Sequence, residues 1–135
     1  METALFVAIL GLASALVVSP TKAAAQTGKV WEIEATQDQT FVVKGEKKPV
    51  ITVKAGEPVT LRITAHKGKV EAKDGAVHGF RVKALADQGW DLRLKEGTQD
   101  FTLKAPTKPG EYVIECTVPC GSHNADQKMK MTVLP

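Results

Sequence analysis

The chain has little sulfur, little histidine and few aromatic rings. Its 135 residues include 2 Cys and 3 His, and Phe, Trp and Tyr together make up 5%. Two cysteines close at most one disulfide, so a fold stapled by many bridges is excluded. The three histidines form no defensible Ser–His–Asp order, which removes the hydrolase reading. No stretch carries a strong amphipathic helix pattern, and there is no internal repeat or low-complexity linker. The formal charge of +3 comes from dispersed lysines. No basic stripe with interleaved aromatics exists, so nucleic acid is excluded as a partner.

Long apolar runs are also missing. The longest uncharged one, residues 4–18, is shorter than the roughly 20 residues of a membrane span. The small residues Ala23, Ala24 and Ala25 follow it, in the pattern that a signal peptidase cleaves. Residues 1–25 therefore read as a secretory signal and residues 26–135 as one exported domain. The expected location is secreted or periplasmic. No Lys or Arg precedes the apolar run, so a retained N-terminal anchor facing the periplasm is the alternative. The domain would carry no other membrane span.

What the chain does have is alternation. Val59, Leu61 and Ile63 alternate with polar neighbours, as do Phe101 and Leu103, and Met129, Met131 and Val133. Trp90, Leu92 and Leu94 share one face, and so do Tyr112, Ile114 and Cys116. A period of two puts one face in a core and the other in water. Further strands are expected at residues 29–36, 40–44, 50–54 and 77–83. Turn chemistry separates them, at Gly45, Gly56-Glu57-Pro58, Gly97 and Pro109-Gly110. Residues 66–74 read as a polar surface loop. The expectation is an all-β antiparallel sandwich of 7–9 short strands.

The chemistry is concentrated near the C-terminus, in Cys116-Thr-Val-Pro-Cys120-Gly-Ser-His123, with Met129 beyond it. Cys116 is expected at a strand end, facing inward. Pro119 and Gly121 tighten the following loop, which carries Cys120 and His123. Two thiols, an imidazole and a thioether make a ligand set that suits copper and also admits zinc. His78 is the best remote candidate, in a strand beside a glycine that permits close backbone approach. The plainer readings remain open. A Cys116–Cys120 disulfide would close a very small ring and so contribute little stability. Structural zinc would need a closed tetrahedron of two Cys and two His, without Met. Met131 reads as core, Met129 as core or ligand, and His66 as solvated.

The region from Val59 to Val133 resembles the copper A domain of cytochrome c oxidase subunit II, and cupredoxins more broadly. The matching residues are Asp74 through Phe80, Pro109-Gly110-Glu111-Tyr112, Cys116-x3-Cys120-Gly121, His123 and a Met beyond. The resemblance implies a Greek-key sandwich in which both cysteine sulfurs bridge two coppers. It implies that His78 and His123 each cap one copper, with Met129 and the Val118 carbonyl as weak axial ligands. The spacing differs from that family in two places. Two residues separate Cys120 from His123 where the family has three, and Met129 follows His123 by six positions instead of three. Cys120-x2-His123-x5-Met129 also resembles the loop of mononuclear blue-copper proteins.

The expected function is outer-sphere electron transfer by bound copper, not substrate turnover. A binuclear centre is favoured over a mononuclear one, because a spare thiol beside a bound oxidant invites oxidation and bridging both sulfurs removes that liability. The expected partner is a redox protein, cytochrome c or oxidase-like. Periplasmic copper handling and thiol redox cycling of Cys116 and Cys120 are the alternatives.

Overall fold

The computed structural model describes residues 29–38, 40–118 and 128–135. The proposed signal segment, Cys120 and His123 lie outside the described residues. The elements run β1 (Val30–Ala35), β2 (Phe41–Val43), β3 (Val50–Lys54), β4 (Pro58–Ala65) and β5 (His78–Arg81), then a 3-10 helix (Lys83–Gln88). They continue with β6 (Asp91–Leu94), β7 (Gly97–Lys104), β8 (Gly110–Glu115) and β9 (Lys128–Leu134). None of the described helices is long and apolar enough to cross a membrane.

The strands form two sheets, in the orders β2-β1-β4-β7 and β3-β9-β8-β5-β6. Alternation decides which face of each is buried. On β4, Val59, Leu61, Ile63 and Ala65 are buried while Arg62 is exposed. Across the core, β9 buries Met129, Met131 and Val133 and exposes Lys128 and Lys130. Each large apolar side chain buried this way contributes about 1.5–3 kcal/mol of transfer free energy. Trp90 is fully buried and donates its indole N–H to the Lys104 carbonyl at 2.9 Å, so its one polar group is satisfied.

The sandwich expected from the sequence is present, with two particulars that alternation does not carry. Both sheets are mixed: β1 pairs in parallel with β4, and β3 in parallel with β9. The other pairings are antiparallel. The strand expected over residues 77–83 ends at Arg81, and the chain then enters the 3-10 helix. That helix buries only Leu85 and stops at Gly89, whose φ of 93° is left-handed. A six-residue element with one buried side chain has no period to read.

Residues 66–74 are less detached than a surface loop. The Ala72 N–H bonds the Ala76 carbonyl at 2.9 Å, and the Ala76 N–H bonds Asp74 Oδ1 at 3.2 Å. This tight turn brings Ala76 and Val118 together as a small buried cluster at one end of the sandwich, with Ala72 and Cys116 packed against it.

Candidate metal centre

β5 begins at His78, and inward alternation with Phe80 carries the imidazole into the core, where it is fully buried. A buried imidazole needs partners for both nitrogens. Nε2 lies 3.1 Å from the backbone carbonyl of His66. A carbonyl only accepts, so Nε2 carries the proton and Nδ1 keeps its lone pair. Nδ1 faces Cys116 Sγ at 4.0 Å. The carbonyl that sets this tautomer is itself anchored, because the His66 N–H bonds the Ala35 carbonyl at 2.9 Å.

Cys116 follows directly on the end of β8. Its sulfur accepts the Gly79 N–H at 3.4 Å and lies 3.8 Å from the Val118 carbonyl oxygen. The side chain packs between the main core and the small Ala76–Val118 cluster. His78, on β5, and Cys116, just past β8, are thus brought together at the end of one sheet, beside the β5–β8 pairing of Arg81 with Glu115.

Metal–nitrogen and metal–sulfur bonds of about 2.0–2.3 Å reach across a 4.0 Å Nδ1–Sγ separation with a bent angle at the ion. The donor chemistry agrees: an imidazole with a free lone pair, a thiol whose thiolate form receives an N–H, and a carbonyl beside it. The pair therefore fits a copper ion. Among the described residues no three His, Cys, Asp or Glu side chains converge. The described fold brings His78, Cys116 and Val118 together, and the remaining sequence candidates, Cys120 and His123, lie outside it. Met129 is 1% exposed on β9, directly opposite Ile114, and packs in the main core with Met131.

A charged clamp closes the outer side. Arg93, on β6, makes two bonds of 3.0 Å to the Asp74 carboxylate. That guanidinium and the Ala76 N–H hold the Asp74 carboxyl down at about 2. The Arg93 side chain is correspondingly raised, first by Asp74. The clamp ties β6 to the turn that carries Ala76.

Two contributors were not singled out in the sequence: the His66 carbonyl and Arg93. The first has no sequence signal at all, since any residue there would offer the same oxygen. The His66 ring is partly exposed and lies 3.0 Å from Glu34 Oε1. It borders an open groove of about 450 Å³ on the solvent face of β1, β2 and β4, away from Cys116.

The two-layer sandwich of mixed sheets can be compared with known proteins. Neither a family profile nor a curated protein matches the sequence. Solved structures do. A chain of a heme-copper terminal oxidase dimer superposes with a TM-score of 0.58 at 18% identity, over 82% of this chain and 68% of that one. Auracyanin B superposes with a TM-score of 0.51 at 20% identity, over 78% of this chain and 88% of its own. Auracyanin A from Chloroflexus aurantiacus, described as a "blue" copper protein, gives 0.51 and 20%, over 78% of this chain and 98% of its own. At such identities the likeness is one of fold, and the chain has the cupredoxin fold.

Proposed function

We propose that this chain is an exported copper-binding domain that transfers electrons. The observation that carries this reading is the His78–Cys116 pair, with Nδ1 aimed at Sγ at 4.0 Å and Nε2 held by the His66 carbonyl. Cys120 and His123 would complete the ligand set by sequence, with the Val118 carbonyl and Met129 as weaker further donors. Copper held here would supply one-electron redox chemistry. The residues around it would keep its surroundings constant: the His66 carbonyl holds His78 in one tautomer, Gly79 donates to the sulfur, and the sandwich buries the imidazole.

The binuclear form is the one we favour, because Cys116 and Cys120 would both be available to hold two coppers, with His78 and His123 to supply one imidazole each. Export is supported by residues 1–25, which read as a cleaved signal. The partner is a redox protein, cytochrome c or oxidase-like, and no substrate is turned over. The alternatives are copper handling without a redox partner and thiol cycling of the two cysteines.

Copper titration of the folded domain, read by visible and EPR spectra, tests this. Two coppers per chain with a seven-line mixed-valence signal are expected. One copper with a four-line pattern defeats the binuclear form, and no intense charge-transfer band defeats copper–thiolate ligation altogether. Cys116→Ser removes that band if the reading is right. Affinity should fall at acid pH, because thiolate and neutral imidazole are the ligating forms.

A further inference from the structure

Among the described glycines, six have positive φ, from 73° at Gly56 to 144° at Gly110, and serve turns or strand starts. Gly79 is not one of them. It lies inside β5 with ordinary strand neighbours, so its backbone would suit any residue. The reason for a glycine there is contact. A Cβ built on Gly79 would stand 2.6 Å from the backbone N of Thr117 and 2.9 Å from its Cβ. Real Cβ contacts below 3.0 Å essentially never occur, so the backbone after Cys116 would have to move by about 0.4 Å or more.

We propose that Gly79 is a positioning residue: its missing side chain lets the chain after Cys116 lie directly on β5, and that contact sets the separation of Cys116 from His78. The inference rests on the copper reading for its consequence, but the contact exists in the metal-free protein. Three observations meet at this crossing. Gly79 follows His78 in the chain, and Thr117 follows Cys116, so the two residues in contact are the immediate neighbours of the two ligands. The Gly79 N–H reaches Cys116 Sγ at 3.4 Å, which requires the same close approach. Among the described residues the buried Thr117 hydroxyl finds no hydrogen-bond partner. Its oxygen, with the Thr117 Cβ and backbone N, is what a Gly79 side chain would meet, so Thr117 acts here through its shape, as a wall against Gly79.

The register adds a boundary to the crossing. Gly79 pairs directly with Arg93 on β6, and Arg93 carries the clamp to Asp74. In the sheet order β8-β5-β6, β5 is thus held on its other side by the strand that carries the ion pair, which limits how far β5 can shift to relieve an added methyl group.

Two readouts test the proposal on the full-length protein. In the metal-free protein, hydrogen exchange and the amide chemical shift of Gly79 report the N–H to Sγ bond. In the copper-loaded protein, the charge-transfer band, EPR hyperfine pattern and reduction potential report ligand geometry. Gly79→Ala should move the band and the potential and weaken copper binding about 10–100-fold, the usual cost of losing an outer-shell partner. Thr117→Val keeps the shape and removes only the hydroxyl, so its spectrum and affinity should match wild type. Thr117→Gly removes the side-chain part of the wall, the Cβ and hydroxyl, and should shift the Gly79 amide and the copper spectrum together. If Gly79→Ala fails to fold, the Thr117 pair still decides. A native Gly79 amide and native copper spectrum in Thr117→Gly would overturn the positioning role. A wild-type protein that binds no copper, but whose Gly79 amide still moves in Thr117→Gly, would sink the copper reading and leave the positioning intact.

Discussion

The two buried regions of this molecule are built on different principles. The main core lies between the sheets and gathers Leu61, Ile63, Phe80, Ile114 and Met131, all nearly or fully buried, from strands of both layers. It is large, redundant and made of alternating side chains. The second region, at the end where Cys116 leaves β8, consists of Ala76 and Val118 with Ala72 and Cys116 against them. It is small, and its shape depends on single contacts: a glycine without a side chain, one backbone carbonyl, one ion pair. The large core supplies most of the folding free energy, while the small one sets the geometry of the pair it adjoins. Stability and ligand geometry should therefore respond to different substitutions.

The largest effect expected is in the main core. Leu61→Ala should cost about 2–5 kcal/mol of stability, measured by urea denaturation of the metal-free domain. The copper spectrum of the fraction that remains folded should be unchanged; a shifted band there would break the division between the regions. Val118→Ala removes two buried methyl groups from the small cluster and should cost only about 1–2 kcal/mol. Its charge-transfer band should nonetheless move, because the Val118 carbonyl lies 3.8 Å from Cys116 Sγ and loses its packing anchor.

Smaller still is the effect of the clamp, and it depends on pH. The Asp74 carboxyl titrates at about 2 in the folded chain and at about 3.9 in an unfolded one. A depressed carboxylate stabilises the fold above the unfolded value and loses that contribution as pH falls toward the folded one. Wild type should therefore lose stability between about pH 4 and pH 2 more steeply than Asp74→Asn. Parallel acid-denaturation curves for the two would remove the clamp from the argument. The smallest effect should come from the far sheet. Arg62 and Asp100 pair across β4 and β7 at 2.9 Å on the exposed face of the sheet, where screening leaves little net gain. Arg62→Gln should leave both the denaturation midpoint and the copper spectrum as they are.

Much of the fold was legible in residues. The alternation at Val59–Ile63 and at Met129–Val133 named the strands and their buried faces, because a side chain's face depends only on its parity along the strand. The glycine beside His78 signalled a close approach, though not to what. Cys116 was legible as an inward-facing residue at a strand end, by the parity it shares with Tyr112 and Ile114. The Leu85 helix was not legible, since one buried residue in six has no period. Cys120 and His123 carry the strongest sequence pattern in the chain, Cys-x3-Cys-x2-His, and fall outside the described residues.

By itself, then, the sequence determined an all-β sandwich, its inward residues and a short list of sulfur and nitrogen donors, since these follow from local parity and side-chain chemistry. Only the tertiary structure decided that β1 runs parallel to β4 and β3 to β9, for parity is the same in either direction and the pairing depends on the path of the whole chain. The tertiary structure alone also decided which backbone groups serve the site. The His66 carbonyl that selects the His78 tautomer and the Thr117 backbone that lies on Gly79 are main-chain atoms, identical in every residue, and they acquire a role only through where the fold sets them down.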